Sequence, residues 1–212
     1  MNTARVDSTV QDSRAVRPFS AKGLLKRVFH VARNLPDRMM HRRRHIAVRE
    51  RLSSMDRPRS VLVVCYGNIC RSPYLEAVLK QAMPDVRVES AGFVGPGRPV
   101  PPFALSVSAQ RGLDMSSFRS RPLVPAIVRD CDLIVVMDGQ QARHIERYFG
   151  VRRSRIVVAG DLDAIPAETR AIIDPWGQPI DVFVASFNRL DRCAATLVSL
   201  LRRESHHTEP VK

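Results

Sequence analysis

From residue 60 onward the chain alternates short continuous hydrophobic runs with segments of helical spacing. Residues 61–64, 133–137 and 156–158 are apolar throughout, as expected for strands buried on both faces of a parallel sheet, and 86–89 is a weaker candidate strand. Apolar residues spaced by three or four positions predict helices over about 73–83, 103–111, 139–149 and 181–203. This order predicts an α/β fold: a three-layer, doubly wound sheet of four parallel strands with helices on both faces.

The first 58 residues follow a different pattern. Apolar residues from Leu24 to Leu35 recur at helical spacing among basic ones, which predicts a basic amphipathic helix over about 20–34 that ends at Pro36. A second, more basic helix is predicted over about 37–54. The predicted organisation is therefore a basic, partly helical extension (1–58), an α/β domain (59–205) and a flexible tail (206–212).

Charge and cysteine content limit the classes of function. The formal net charge is +13, of which +9 falls within residues 1–58, so the basic character belongs mainly to the extension. Four scattered cysteines are too few for a disulfide framework or a zinc site of paired cysteines, and Cys131 and Cys193 are expected in the core. Without an apolar run of about 18 residues or a signal-like start, a cytoplasmic protein is expected.

The candidate chemistry lies in the loop that follows the first strand. Cys65 ends that strand, where open α/β sheets place ligand sites, and Arg71 follows six residues later. Pro73 suits the first turn of a helix, so the loop between the first strand and first helix can direct backbone N–H groups and a helix N-terminus at one anion. Arg71 adds a guanidinium that can hold two phosphate oxygens, and Gly67 and Asn68 tolerate the positive φ of a tight loop.

The same surroundings favour the thiolate form of Cys65. A helix N-terminus, a guanidinium and the hydroxyl of Ser72 all stabilise a negative sulfur, and a thiolate facing a bound phosphate ester is a nucleophile directed at phosphorus.

The segment 64–73, Val-Cys-Tyr-Gly-Asn-Ile-Cys-Arg-Ser-Pro, resembles the signature of low-molecular-weight protein tyrosine phosphatases. The resemblance continues through residues 90–92, 111–114, 131–138 and 174–177 and covers about 60–203, but not the extension. It implies hydrolysis of protein phosphotyrosine through a cysteinyl-phosphate, without metal or organic cofactor. It also suggests bacterial relatives that oppose tyrosine kinases of polysaccharide export, so such a kinase is a candidate partner.

The resemblance also implies roles for individual residues. Cys65 is the nucleophile, Arg71 the phosphate clamp and Asp174 the general acid and base. Tyr66 and Trp176 form the walls of the substrate cleft, and Ser90 supports the loop. Trp176 has a second interpretation, as a core residue that caps a helix. The phosphate-binding loop comprises Tyr66, Gly67, Asn68, Ile69, Cys70 and Ser72. Cys70 has two readings: a partner for a reversible disulfide with Cys65, or a residue that only packs in the loop.

One departure from the family and three competing functions remain. Phe118 occupies the place of a histidine that supports the loop in many relatives, so the support of Asn68 is expected to be weaker. Arsenate reductase would need cysteines near Met137, which are absent. Phosphoarginine phosphatases tend to carry threonine where Ile69 stands, and a bulky apolar residue there favours a flat aromatic substrate. A non-catalytic phosphate-binding scaffold is disfavoured because Cys65, Arg71 and Asp174 are all present.

The basic extension has three readings. It packs on the domain as a solvated helix, it binds an anionic membrane surface peripherally through residues 20–54, or it binds an acidic partner through the same residues. Nothing in it predicts specific nucleic-acid readout, because basic residues are not interleaved with aromatic ones.

Overall fold

The computed structural model describes the backbone of residues 21–202 and the side chains of residues 37–202. Six helices and four strands form this part of the chain. The helices are α1 (Ala21–Ser53), α2 (Arg71–Ala82), α3 (Pro102–Ala109), α4 (Pro125–Arg129), α5 (Gly139–Phe149) and α6 (Ile180–Leu201). The strands are β1 (Ser60–Cys65), β2 (Arg87–Gly92), β3 (Leu133–Val136) and β4 (Ile156–Val158), and single 3₁₀ turns occupy Arg153–Arg155 and Ala159–Asp161.

The four strands form one parallel sheet in the order β2-β1-β3-β4, which confirms the predicted α/β architecture. Val64 of β1 lies opposite Ala91 of β2 and Val136 of β3, so the carboxyl ends of the three strands meet at one edge. The loop after β1 leaves the sheet at that edge, where parallel sheets place their ligand sites.

Alternate residues of each strand supply two separate hydrophobic layers. Val61, Val63 and Cys65 face the larger layer, which α2 and α6 cover, whereas Leu62 and Val64 face a smaller layer beneath α5. Strands buried on both faces therefore read as continuous apolar runs in the sequence. Cys131 and Cys193 are both buried, as expected.

The predicted break at Pro36 is wrong, because α1 continues through it as one helix from Ala21 to Ser53. Proline removes one backbone hydrogen bond and costs a helix interior about 3 kcal/mol. Val48 and Leu52 of the same helix are buried in the larger hydrophobic layer, and this packing stabilises the helical state of the segment after the proline. The predicted apolar face between Leu24 and Leu35 lies outside the described side chains, as do residues 1–20 and the tail.

The docked half of α1, residues 37–53, lies beside the outer edge of the sheet. Arg51 donates from Nη2 to the carbonyl oxygen of Ile156 in the edge strand β4, at 3.0 Å, and His45 Nδ1 lies 2.9 Å from the carbonyl oxygen of Asp161. Residues 34–202 belong to one compact unit, and residues 21–33 belong to another. Within the described part of the chain, no helix combines the length and hydropathy needed to cross a bilayer.

Candidate active site

The loop from Cys65 to Ser72 connects β1 to α2 at the carboxyl edge of the sheet. Cys65 is the last residue of β1 and α2 begins at Arg71, two residues earlier than expected. The loop is tight, because Asn68 adopts a φ of 50°, which is unusual for any residue except glycine. Gly92 at the end of β2 permits this, since a Cβ there would lie 2.8 Å from the backbone nitrogen of Asn68.

Two hydrogen-bond donors lie next to the sulfur of Cys65. The backbone N–H of Asn68 donates to Sγ at 3.2 Å, and the hydroxyl of Ser72 donates at 2.9 Å. Both donors, together with the N-terminus of α2, stabilise negative charge on the sulfur. The sequence therefore predicted correctly that Ser72 would contact Cys65.

A chain of buried hydrogen bonds extends from Ser72 to a carboxylate. The side-chain amide of Asn68 donates to Ser72 Oγ at 3.0 Å and to Ser90 Oγ at 2.8 Å. Ser90 donates in turn to Oε2 of Glu76 at 2.5 Å, and Lys80 donates to Oε1 at 2.5 Å. Ser90 thus lies where the resemblance placed it, but Glu76 was not expected.

Glu76 is the acceptor at the far end of this chain of hydrogen bonds. An ionised carboxylate only accepts, so Ser90 must donate to it and has its own oxygen free to accept from Asn68. The amide of Asn68 then uses its second hydrogen for Ser72, and the hydroxyl hydrogen of Ser72 points at Cys65. The charge of Glu76 therefore stabilises the arrangement in which donors face the sulfur.

Phe118 does not contribute to this network and packs partly buried against the larger hydrophobic layer. The remaining acceptor of Asn68, Oδ1, receives the backbone N–H of Arg121 at 2.9 Å, and Arg121 Nε donates to the carbonyl oxygen of Ser90 at 2.5 Å. The expected weakness at Asn68 is therefore compensated by a backbone group three residues after Phe118.

Arg71 and Asp174 meet across the cleft despite their separation in sequence. The buried guanidinium of Arg71 donates from Nη1 to the carbonyl oxygen of Ile172 at 3.0 Å, and its Nη2 pairs with Oδ2 of Asp174. Its Nε has no hydrogen-bond partner among the described residues. Asp174 is about half exposed, so a solvent-accessible carboxyl group lies beside a buried guanidinium.

Each residue of the segment preceding Asp174 is fastened through its backbone. We call residues 170–176 the acid segment. Arg189 donates to the carbonyl oxygen of Ala171 at 2.7 Å, Ile172 donates to Met137 at 2.9 Å, and Ser186 donates to the carbonyl oxygen of Ile173 at 3.0 Å. These contacts connect the acid segment to α6 and to the end of β3.

The cleft above Cys65 has a volume of about 250 Å³ and two exposed aromatic walls. Tyr66 is 62% exposed and Trp176 is 66% exposed, and both line the cleft together with Arg71 and Asp174. Trp176 is therefore not a core residue. Arg98 also lines the cleft and donates from Nη2 to the carbonyl oxygen of Gly67 at 3.1 Å, a contact that the sequence did not indicate.

Cys70 is buried in the same loop as Cys65 and is not disulfide-bonded. Burial, the charge of Cys65 and the charge of Asp174 raise the pKa of Cys70 to about 12, so it is a neutral thiol near pH 7. Among the side chains that the structure describes, no group of three histidine, cysteine or acidic residues is placed to hold a metal ion.

This loop, clamp and distant carboxyl group coincide with a family match over most of the chain. Residues 60–207 match the family described as low molecular weight phosphotyrosine protein phosphatase. The chain belongs to this family.

Relatives of this phosphatase family align with nearly their whole length. The "Probable low molecular weight protein-tyrosine-phosphatase EpsP" of Ralstonia nicotianae is 34% identical over 145 residues, covering 68% of this chain and 97% of the relative. The Erwinia amylovora tyrosine phosphatase amsI is similar in structure, with a TM-score of 0.64 and 31% identity over 69% of this chain and 95% of that one. The YwlE arginine phosphatase of Geobacillus stearothermophilus has a TM-score of 0.64 and 27% identity over 72% and 99% of the two chains.

Three residues of this phosphatase's site were missed from the sequence, for different reasons. Glu76 lies one helical turn after Ser72, so a charged residue on the buried face of α2 was a usable signal. Arg121 contributes a backbone N–H, which any residue supplies and no pattern marks. Arg98 reaches the loop from a segment without periodicity, and only the folded chain brings it to Gly67.

Proposed function

We propose that the protein hydrolyses phosphotyrosine in proteins through a cysteinyl-phosphate intermediate. The sulfur of Cys65 attacks phosphorus, the bond from phosphorus to the phenolic oxygen breaks, and Asp174 transfers its proton to that oxygen. Water then attacks the phosphocysteine while Asp174 accepts its proton, the sulfur–phosphorus bond breaks, and phosphate leaves. Arg71 and the N-terminus of α2 stabilise the charge on the transferring group in both steps.

The observation that carries this proposal is the convergence of Cys65, Arg71 and Asp174 in one cleft between two exposed aromatic walls. Donors to Cys65 favour the nucleophilic thiolate, and Arg71 is held by Ile172 with its Nε unpaired. Such an arrangement supplies a nucleophile, an anion clamp and a proton donor within reach of one substrate atom.

The aromatic walls and Ile69 favour phosphotyrosine over phosphoarginine. Ile69 lies in the lining of the cleft between Tyr66 and Trp176, and an apolar side chain there suits a flat ring better than a charged guanidinium. A pair of otherwise identical peptides, one with phosphotyrosine and one with phosphoarginine, tests this choice. Faster release of phosphate from the phosphoarginine peptide would reverse the assignment.

Hydrolysis of aryl phosphates tests the residue roles. The expected result is loss of activity in Cys65→Ser and, in Asp174→Ala, a loss of about 10²- to 10⁴-fold in kcat/KM for poor leaving groups. Asp181→Ala in the first turn of α6 is the matched control and should leave kcat/KM unchanged. Wild-type activity no higher than that of Cys65→Ser would reject the enzyme, and normal hydrolysis in Asp174→Ala would remove Asp174 from the mechanism.

A protein substrate can be identified by trapping. Cys65→Ser retains the phosphate loop but lacks the nucleophile, so a phosphorylated partner should be retained by it and released by orthovanadate or free phosphate. A bacterial tyrosine kinase is the partner that the resemblance suggests. Capture of phosphoproteins that lack phosphotyrosine would contradict this assignment.

We further propose that the outward face of the docked half of α1 binds an anionic membrane surface peripherally. Met39 is 72% exposed and Ile46 is 43% exposed, and they lie on one side of the helix with exposed Arg42, Arg43 and Arg49 around them. Apolar side chains flanked by cations are the pattern that associates with anionic lipid headgroups.

Vesicle flotation of the full chain tests the membrane proposal. Binding to vesicles containing anionic lipid, but not to neutral vesicles, is expected, together with a reduction in the double variant Arg42→Glu/Arg43→Glu. Arg129→Glu, on α4, is the matched charge control. Absence of lipid-dependent flotation would reject the membrane and leave two readings of this face: a solvated helix that only packs on the domain, or a surface for an acidic partner.

A further inference from the structure

The acid segment has one fastening that comes from outside the family domain. Oδ2 of Asp37, on α1, accepts the backbone N–H of Arg170 at 3.1 Å. Arg170 is the first residue of the acid segment and lies four residues before Asp174. Oδ1 of Asp37 accepts from Nη1 of Arg44 at 2.7 Å, so the carboxylate itself is fixed from a second direction.

Arg170 is held on its other sides as well. Its guanidinium forms a two-point pair with Asp161, Nε to Oδ1 at 2.7 Å and Nη2 to Oδ2 at 2.5 Å. Its carbonyl oxygen lies so close to Gly160 that a Cβ at that glycine would come within 1.9 Å of it. The N–H held by Asp37 is therefore one of three restraints on the residue at which the acid segment begins.

The docked half of α1 is itself anchored independently of Asp37. Val48 and Leu52 are buried, Arg51 binds the carbonyl oxygen of Ile156, and His45 contacts the carbonyl oxygen of Asp161. A helix fastened at these points presents Asp37 at a fixed position. Asp37 is charged under ordinary conditions: burial acts against it, but the hydrogen bonds from Arg44 and from the Arg170 N–H lower its pKa.

We propose that Asp37 is a positioning residue for the general acid, so that α1 contributes to the catalytic geometry. This inference rests on the role of Asp174 proposed above. The contact fixes one end of the acid segment, while Ile172 and Ile173 are fixed by Arg71 and Ser186. Removal of the Asp37 carboxylate allows the first peptide of the segment to move and lowers the fraction of molecules in which Asp174 reaches the leaving oxygen.

A general acid matters most for leaving groups that are poor without a proton, and this distinguishes positioning from simple stabilisation. Phenolates of high basicity depend on Asp174, whereas activated nitrophenolates depart almost unassisted. If Asp37 only attached α1 to the domain, its loss would affect all substrates alike. If it positions Asp174, its loss reduces the hydrolysis of poor leaving groups selectively.

The test is kcat/KM of the full-length protein on a series of aryl phosphates that differ in the basicity of the phenol. Asp37→Ala should lose about tenfold on phenyl phosphate, against the 10²- to 10⁴-fold available to the whole general acid, and less than twofold on a nitrophenyl phosphate. Asp37→Asn keeps an oxygen that can accept from Arg170, so it should lose only about two- to threefold on phenyl phosphate.

Two controls separate positioning from folding. Glu50→Ala removes an exposed carboxylate from the same helix and should behave as wild type. Val128→Ala removes buried apolar volume in the smaller hydrophobic layer, away from α1 and the acid segment, so it lowers the urea midpoint and should leave the dependence on the leaving group unchanged. Equal dependence on the leaving group in Asp37→Ala and Glu50→Ala would overturn the inference, as would a dependence in Val128→Ala as steep as that in Asp37→Ala. If kcat/KM depended equally on the basicity of the leaving phenol in wild type and in Asp174→Ala, the proposed role of Asp174 would be overturned, and the inference with it.

Discussion

Replacing Glu76 by glutamine tests whether its charge controls the hydrogen bonds that reach Cys65. Glutamine has nearly the same size, so the 7% exposed site remains filled. Its neutral amide replaces the charged acceptor of the Ser90 hydroxyl, so the hydrogen bonds through Asn68 lose the negative charge that strengthens them, although the N–H of Arg121 still holds the Asn68 amide.

The size of the effect follows from the bonds that change. A hydrogen bond to a charged group contributes about 1.5–3 kcal/mol and a neutral one about 1, so Glu76→Gln should lower the free energy of unfolding by about 0.5–2 kcal/mol. If about 1 kcal/mol of this reaches Cys65 through Ser90 and Asn68, kcat/KM falls about fivefold, since 1.36 kcal/mol corresponds to a factor of ten.

The assay is a double-mutant cycle on kcat/KM for an aryl phosphate, with urea unfolding in parallel. Glu76→Gln should lose most of its effect in a Ser90→Ala background, because the path to Cys65 is already interrupted. Lys80→Met is the matched control: Lys80 is mostly exposed and its ion pair is expected to contribute less than about 1 kcal/mol. A fivefold loss that persists in the Ser90→Ala background would refute the idea that the charge of Glu76 acts on Cys65 through Ser90.

Three further predictions concern packing, pH and thiol reactivity. Gly160→Ala should destabilise the fold by about 2–3 kcal/mol in urea unfolding, because its Cβ would meet the carbonyl oxygen of Arg170 at 1.9 Å. Asp163→Asn should lower the free energy of unfolding by about 3–5 kcal/mol at pH 7, because it breaks the ion pairs of this buried carboxylate with Arg189 and Arg192. Burial opposes ionisation of Asp163, but its arginine partners lower its pKa. The ionised carboxylate therefore stabilises the fold above about pH 4, and this stabilisation is lost as the pH falls further. Urea midpoints measured across this pH range test the prediction. Iodoacetamide near pH 7 should modify Cys65 and spare Cys70, whose pKa is about 12. Tandem mass spectrometry of the tryptic peptide 60–71, which contains both cysteines, identifies the alkylated one.

Each of these predictions has a result that would count against it. Gly95→Ala, where no atom lies within 4 Å of the added methyl group, should be neutral, so an equal loss at both glycines would exclude the steric explanation. Below about pH 4 the urea midpoint of wild type should decrease more steeply with falling pH than that of Asp163→Asn. An equally steep decrease in both proteins would show that Asp163 does not cause the loss of stability in acid. Alkylation of Cys70 at the same rate as Cys65 would contradict the argument that burial and a raised pKa keep Cys70 unreactive.

The sequence predicted correctly those parts of the structure that depend on residues close together along the chain. Continuous apolar runs located β1, β3 and β4, because strands buried on both faces must be apolar throughout. The spacing of Cys65 and Arg71 located the phosphate loop, because one loop carries both. Asp174 required the family resemblance, since an aspartate before a proline is common in turns.

What the sequence did not predict depends on long-range packing. Pro36 follows a strong local rule for ending helices, yet burial of Val48 and Leu52 on the domain outweighs the lost hydrogen bond. The contact of Asp37 with Arg170 joins residues 133 positions apart through a backbone N–H, which leaves no trace in side-chain identity. The contact of Arg121 with Asn68 could not be predicted for the same reason, because it too is made by a backbone N–H.

The contact between Arg51 and Ile156 has a consequence for where this protein can be cut. The family match starts at residue 60, but β4 is the last strand of the sheet, and the docked half of α1 occupies its outer side. A chain that began at residue 60 would lose the Arg51 contact with the Ile156 carbonyl, leaving that of Arg153, and would expose the apolar surface that Val48 and Leu52 cover. Less protected edges of this kind favour pairing with other chains, so we expect a fragment that keeps residues 37–59 to be more soluble than the family domain alone.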